Sequence, residues 1–481
     1  MTFLVAAVTA TPVASSDDAG VIDAYLRGAM ETSGIPGLAA IVVERGQRVY
    51  EGAFGSTFDG SPMTTTSRLI VGSVGKSITA LAVRQLAASG ALDLDAPLVR
   101  YLPWFTHDAP AGHLDTMTVA TLLDHTSGLS TADGQDPRWY EPGLTSEGIA
   151  RSLSSVRPDR PVGGYEYSNL NYVLLGVLIE AVSGQPYDAY LADHVFGPLG
   201  MGASTARRDA VPSGPTGHRY LFGMPVPVAE PYPDGVVPAG YHVSNADDMA
   251  RFVAALAAGG AVNGTDIVGG GRPVVPAPAL GTDWATMGIA LAGAASGQSG
   301  STLGTNADIL VEPGTGRGVV VLMNANPTQL LGLPRGAADI ALDVLRLSGG
   351  SDPAPGSPTV RTVYAVVDVV LLVLGGLLVA HAWRARTWTR RWSTADQRGR
   401  RVMSVRTVLA DLALPLAFLL GLPLLIGLAG SAREFDVVGG WRFVMWTLPD
   451  VGVSLMLLAS VPLVLGTAKL VAVWRMAAHR A

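Results

Sequence analysis

The 481-residue chain reads as an α+β domain followed by a three-helix membrane region, and three observations predict that division. Helical and strand periodicities alternate up to about residue 350, three long apolar runs follow, and the net charge changes sign between the two parts. Up to Gly350 there are 19 basic against 32 acidic residues, net −13; from Ser351 onward there are 14 against seven, net +7. An acidic front and basic back can mark a nucleic-acid binder. Here the arginines interrupt apolar runs, the positive-inside pattern of a membrane protein, so a lipid bilayer is the expected partner and nucleic acid is not. With no cysteine, disulfides, thiolate metal sites and cysteine nucleophiles are all excluded. The eight histidines lack metal-binding spacing, so no metal and no cofactor is expected.

The elements follow in order. Residues 1–16 are apolar and small-residue-rich like the end of a secretory signal, without its basic start, and are expected to be a possibly truncated signal segment. Residues 17–347 form the main domain. It opens with an amphipathic helix over 18–32 and two strands over 37–43 and 47–54 joined by a short turn at 44–46. The next helix begins at or just after Ser73 and stops at Gly90, where a left-handed cap is wanted. Another follows Ser168 and ends at Gly184. Late strands are expected at 286–291, 307–312 and 318–324, the last two joined by the turn residues 313–316. A Ser/Gly/Pro linker over 348–361 leads to three apolar spans, about 362–383, 408–428 and 451–473.

The connector between the first two spans, 384–406, carries eight arginines against the single acid Asp396. It is expected to be cytoplasmic, which places the main domain outside, the C-terminus inside and Lys469 near the inner end of the third span, where it can snorkel. The expected location is therefore a bacterial cell membrane, with several passes.

Lysine usage carries the chemistry. The chain has two lysines against 31 arginines, and one of them, Lys76, lies three residues after Ser73. Arginine stays charged at any usable pH, whereas a desolvated lysine can lose its proton and act as a base. The helix that follows is apolar on successive turns (Ile78, Leu81, Ala82, Val83, Leu86), and positions three apart share a face, so Lys76 is expected to be partly buried beside the Ser73 hydroxyl. The positive end of the helix dipole disfavours the ammonium further and favours an oxyanion at the serine. A second cluster, Tyr165 to Asn169, precedes the helix after Ser168. In it Tyr167 can relay a proton if nearby cations lower its pKa, and Asn169 can bind a substrate amide.

Several runs together resemble one family, the serine β-lactamase and penicillin-binding-protein fold, in its branch of class C β-lactamases, D-aminopeptidases and esterases. They are 68–76 with Ser73 and Lys76, 122–129 with His125, Tyr167-Ser168-Asn169 with 171–176 after it, and Pro198-Leu199-Gly200-Met201. The resemblance covers about residues 17–326. It implies an antiparallel sheet flanked by helices plus a helical subdomain, and a hydrolase that works through an acyl-enzyme. It implies Ser73 as nucleophile, Lys76 and Tyr167 exchanging its proton, and Asn169 holding the substrate. The oxyanion hole would be formed by the backbone N–H groups of Ser73 and Ser301. In similar proteins the run around His125 is structural.

The third motif of such proteins begins with Lys or His. The best match here is Gln298-Ser299-Gly300, and no Lys or His occurs between His242 and the first span. A glutamine offers a substrate carboxylate only a neutral hydrogen bond, which favours an ester or amide of a neutral group over a β-lactam or D-Ala peptide. The expected substrate remains a small molecule or peptide, with an ester, a peptidoglycan stem peptide and a β-lactam as candidates. The alternative is a binding module or sensor that keeps a long-lived acyl group on Ser73.

Overall fold

In the computed structural model the described residues run from Ser16 to Ala478, apart from 107, 109–111, 142, 156–160, 211–216, 259–260, 263–264, 267–294, 313–314, 328–335, 357–358, 414, 418 and 421–448. The expected signal segment, except Ser16, and the expected strand at 286–291 lie outside the described residues. The chain divides into two compact units. One holds residues up to 219 with 225–328 and 332–358; the other holds 220–224, 329–331 and 359–481.

The first unit is built on a five-stranded antiparallel sheet. Its strands are β1 (Gly37–Glu44), β2 (Gln47–Gly55), β3 (Ser296–Ser301), β4 (Asn306–Glu312) and β5 (Arg317–Met323), in the spatial order β2-β1-β5-β4-β3. Arg45 and Gly46 both have positive φ, as a two-residue hairpin turn that follows the strand twist requires. β1 is buried along almost its whole length, so it reads as a continuous apolar run. Its side chains still alternate. Leu38, Ala40 and Val42 pack with Ile22 and Leu26 of α1 (Ser16–Ser33), while Ala39, Ile41 and Val43 join the larger core on the other face. Each such fully buried aliphatic side chain contributes about 1.5–3 kcal/mol of transfer free energy, so a slip of one residue in register is strongly disfavoured.

That larger core belongs to the helices that carry the candidate chemistry. They are α2 (Gly75–Ala88), α3 (Asn169–Ser183), the single turn α4 (Val237–Gly240) and α5 (Ala246–Ala257); α6 (Ala337–Ser348) packs on the opposite face of the sheet. Eleven residues of α2 are buried, including Lys76, Ser77, Thr79 and Arg84, so a helix that also carries polar groups is held on most sides. Gly90, with φ +78°, follows its end, and Gly184, with φ +69°, caps α3, both as expected from the sequence.

The second unit contains α7 (Val360–Ala385), α8 (Trp388–Thr394), α9 (Gln397–Arg406) and α10 (Pro449–Ala478). Two segments, Val360–Ala385 and Asp450–Arg475, are long and apolar enough to cross a membrane, by length and composition. The sequence pointed to three. Of the middle one, 407–413 forms a π-helical turn and parts of 415–420 are helical, while 421–428 lies outside the described residues. Lys469 also departs from expectation. It does not snorkel but is buried, with Nζ 2.5 Å from Asp411 Oδ2, and His381 Nε2 lies 3.0 Å from Asp411 Oδ1. Inside an apolar bundle a nearby carboxylate satisfies an ammonium without a path to water.

Candidate active site

Ser73 lies on the 3-10 turn Gly72–Val74 that leads into α2, and Lys76 lies on the first turn of that helix. Ser73 Oγ is 2.8 Å from Tyr167 Oη and 3.2 Å from Lys76 Nζ. Lys76 Nζ also reaches Asn169 Oδ1 at 2.8 Å and the Ala239 carbonyl of α4 at 2.5 Å. The four residues expected at the centre of the site therefore meet within hydrogen-bond distance, although 93 and 94 positions separate the two halves.

Lys76 is fully buried, and burial drives its ammonium well below the ordinary lysine value. No carboxylate pairs with it among the described residues. Its Nζ lies 4.8 Å from the Tyr167 ring centre and 5.5 Å from that of Tyr172, contacts that would favour the cation. Such contacts are worth about 0.5–2 kcal/mol, whereas an unpaired buried charge costs several kcal/mol, so the neutral amine prevails. A neutral amine has two N–H bonds and one lone pair. Asn169 Oδ1 and the Ala239 carbonyl accept the two N–H bonds, which leaves the lone pair facing Ser73 Oγ. That arrangement can accept the serine proton.

Tyr167 differs from the sequence expectation. Burial, only partly offset by the hydrogen bond to Ser73, pushes its phenol up rather than down. Lys76, whose Nζ lies over the Tyr167 ring, is itself held neutral and so does not lower it. Tyr167 is thus a neutral hydroxyl, able to donate one proton while accepting another.

His125 builds the platform under Tyr167. Its backbone adopts φ +56°, a strained conformation for a non-glycine residue, and is held there by buried contacts. Its Nδ1 accepts from the Ser168 backbone N–H (3.2 Å) and faces Asn171 Nδ2 at 3.0 Å, and its ring lies 4.7 Å from that of Tyr167. Burial keeps this imidazole neutral, consistent with an acceptor at Nδ1. Asn169 is fixed at both ends, because its Nδ2 donates to Tyr140 Oη at 2.9 Å while its Oδ1 takes the lysine proton. Burial pushes the Tyr140 phenol up to about 12, and its ring meets Tyr241 edge-on at 6.3 Å. Sequence reading missed Tyr140 and the Ala239 carbonyl. The Trp139-Tyr140 pair was a usable signal; a backbone carbonyl leaves none.

The third-motif strand β3 lies against the nucleophile turn. A methyl group at Gly300 would fall 2.1 Å from the Val71 carbonyl and 2.8 Å from the Ser73 nitrogen, so only glycine permits this approach. Gly72, with φ +55°, meets the same constraint from the other side: a methyl there would lie 2.5 Å from the Ser301 nitrogen. The Gly300 carbonyl accepts from Asn306 Nδ2 of β4, and the Thr302 N–H donates to Thr305. Ser301 lies between them on an edge strand, so its N–H points the opposite way, out toward the Ser73 turn. The Ser301 nitrogen, one of the two expected to hold an oxyanion, therefore lies against the turn that carries Ser73. The side chains before it turn elsewhere: Ser299 Oγ donates to the buried Asp308 carboxyl, and Gln298 Nε2 donates to the Ser299 carbonyl at 2.9 Å. Burial raises Asp308 well above the usual carboxyl range.

Comparison with known proteins accords with this geometry. Esterase EstB from Burkholderia gladioli is 33% identical over 248 residues, which is 46% of this chain and 60% of the esterase. A putative D-alanyl-D-alanine carboxypeptidase from Escherichia coli (strain K12) is 29% identical over 186 residues, 35% of this chain and 42% of that protein. The chain thus spans about half the length of the curated relatives it matches. Two solved structures share the fold. A class C beta-lactamase superposes with a TM-score of 0.56 at 20% identity, covering 70% of this chain and 98% of its own. The octameric penicillin-binding protein homologue from Pyrococcus abyssi gives 0.55 at 24%, covering 70% and 79%. The family model described as Beta-lactamase matches residues 22–343, well over half of the chain, and with the folded sheet and the Ser73 to Lys76 turn inside that span, the chain belongs to the beta-lactamase family.

Proposed function

We propose that the chain is a membrane-anchored serine hydrolase, with its catalytic domain outside the cytoplasm, that cleaves an ester or amide of a neutral acyl group through an acyl-enzyme on Ser73. The observation that carries this reading is the buried, unpaired Lys76, whose two N–H bonds have acceptors while its lone pair faces Ser73 Oγ. Ser73 gives its proton to Lys76 as Oγ attacks the substrate carbonyl carbon. The N–H groups of Ser73 and Ser301 take the oxyanion. As the tetrahedral intermediate collapses, the leaving oxygen or nitrogen takes a proton from Tyr167, and the Lys76 ammonium returns one to Tyr167, so both groups end neutral. Water then attacks the acyl carbon and gives its proton through Tyr167 to Lys76; as the second intermediate collapses Lys76 returns that proton to Ser73 Oγ and the acid is released.

A neutral substrate is favoured because the third motif offers no cation. Gln298 stands where a cation would be expected, and its amide is directed at its own strand. The similarity to esterase EstB supports the same choice over a carboxypeptidase. The membrane anchor rests on α7, whose apolar side chains are almost wholly uncovered, with Leu372, Val379 and Trp383 each at least 70% exposed. The outward orientation rests on the arginine-rich 384–406 connector.

A fluorophosphonate probe should label the full chain and lose all labelling in Ser73→Ala; labelling that persists would defeat the assignment. In a panel of p-nitrophenyl esters, D-amino-acid amides, D-Ala-D-Ala peptides and nitrocefin, turnover should be fastest with the neutral esters. Labelling by fluorescent penicillin without turnover of any substrate would favour the sensor instead.

A further inference from the structure

Lys76 acts as a base only if its lone pair is aimed at Ser73, and that aim depends on a backbone carbonyl. α4 is a single turn with a glycine at its end, too short to hold the Ala239 carbonyl in place by its own hydrogen bonds. The adjacent carbonyl, that of Pro238, is fixed from the other side. Thr79, one turn beyond Lys76 on α2, donates its hydroxyl to the Pro238 oxygen at 2.7 Å. Thr79 Oγ1 lies 2.6 Å from Tyr187 Oη, which lies 2.8 Å from His242 Nε2. All three side chains are buried.

The hydrogen positions in this chain follow from counting. Thr79 has one proton, and of its two carbonyl neighbours the Pro238 oxygen at 2.7 Å takes it over the Gly75 oxygen at 3.3 Å. Thr79 Oγ1 therefore accepts from Tyr187, and the Tyr187 oxygen in turn accepts from His242 Nε2–H. That leaves His242 Nδ1 without a proton, in agreement with its position: it has no hydrogen-bond partner, and a methyl at Gly75 would lie 2.1 Å from it. His242 also ties its own backbone to the nucleophile segment, since its carbonyl accepts from the Val71 N–H at 3.0 Å. One buried line thus starts beside the N-terminus of α2 and ends on the turn that carries the lysine's acceptor.

We propose that His242, Tyr187 and Thr79 are positioning residues that hold α4 so that the Ala239 carbonyl takes one Lys76 N–H and the lysine lone pair faces Ser73. The inference rests on Lys76 as the base. The titratable groups that face Lys76 are Tyr167 before α3, Tyr172 on α3, His125 beneath Tyr167, and His242. Burial holds His242 down at about 3, so it stays neutral in the working range and the line does not switch with pH. Loosening the line lets α4 and Lys76 gain solvent, which restores part of the ammonium's hydration and moves the acid limb of activity to higher pH.

The test is the pH profile of kcat and kcat/KM for p-nitrophenyl acetate hydrolysis by the full chain in detergent micelles. Tyr187→Phe keeps the ring and removes the link. It should lower kcat about tenfold or more, leave KM nearly unchanged, and shift the acid limb upward. Thr79→Val should do the same, and Thr79→Ser, which keeps the hydroxyl, should restore the wild-type profile. A merely structural role would lower the melting temperature without moving the acid limb. The proposal is overturned if folded Tyr187→Phe shows the wild-type limb, or if Thr79→Ser behaves like Thr79→Val. Should Tyr187→Phe not fold, the Thr79 pair decides alone. Failure of the underlying reading looks different, because Ser73→Ala would then retain hydrolysis.

Discussion

The two lysines of this chain are both buried, yet their surroundings are opposite. Lys76, in the first unit, faces a hydroxyl, an amide oxygen and a backbone carbonyl; Lys469, in the second, faces the Asp411 carboxylate with His381 beside it. Burial raises the cost of a charge in both places. The partners decide how that cost is met. With only neutral acceptors Lys76 sheds its proton and becomes a base, whereas Lys469 has a carboxylate within hydrogen-bond distance that satisfies it in place.

The largest effect that would break this contrast is at the nucleophile. Lys76→Arg keeps a cation and removes the base, so kcat/KM for a neutral ester should fall on the order of a thousandfold or more. An active Lys76→Arg enzyme would mean that the amine serves only as a charge. Lys469 should behave in the opposite way. Lys469→Met leaves Asp411 buried without its ammonium and should destabilise the second unit by about 3–5 kcal/mol, read as a lower detergent or thermal midpoint. The double variant Lys469→Met with Asp411→Leu should recover most of that loss, and hydrolysis of a soluble ester should be unaffected throughout.

A third effect sharpens the comparison through stability. The folded-state pKa of Lys76 is depressed, so its contribution to stability is full above the unfolded value near 10.5 and declines as pH falls toward the folded one. At neutral pH the wild type therefore carries a penalty that Lys76→Met removes. The variant should be inactive yet melt higher, by about 2–4 °C for each kcal/mol regained, with a larger gain at pH 6 than at pH 9. An equal gain at both pH values would argue against a buried, neutral amine. The smallest effect is at Asp308. Its folded-state pKa is raised, so its favourable contribution is full below about 4 and is lost as pH rises. Asp308→Asn should flatten the decline in melting temperature between pH 5 and 8 and alter activity little.

Much of the first unit was legible in the chain. The continuous apolar run of β1 and the apolar helices α2 and α3, each followed by a glycine, gave the right elements with ends close to those found, because propensity, caps and packing agree there. Ser73 and Lys76 were legible because their relation is local, three positions apart across the turn that opens α2. Contacts made across the fold were not. Nothing near position 76 names Ala239, which lies 163 residues away and contributes only a backbone oxygen. For Tyr167 the sequence left a condition open, a pKa lowered by nearby cations, and burial settles it the other way by raising the phenol. In the second unit, Asp411 and Lys469 each stood out as a lone charge in an apolar run, but their pairing depends on how the helices pack, which composition does not encode.

Among the described residues strand β3 ends the sheet, and an unpaired sheet edge is a template on which an extended chain can lay another strand. Here the template is shortened from within. The Ser299 carbonyl, on the outward side next to the Ser301 N–H, is already taken by the Gln298 amide of the same strand. Gln298 thus makes with its own strand a bond that a neighbouring strand would otherwise offer, and leaves one lone pair of that carbonyl instead of two for any chain laid along β3.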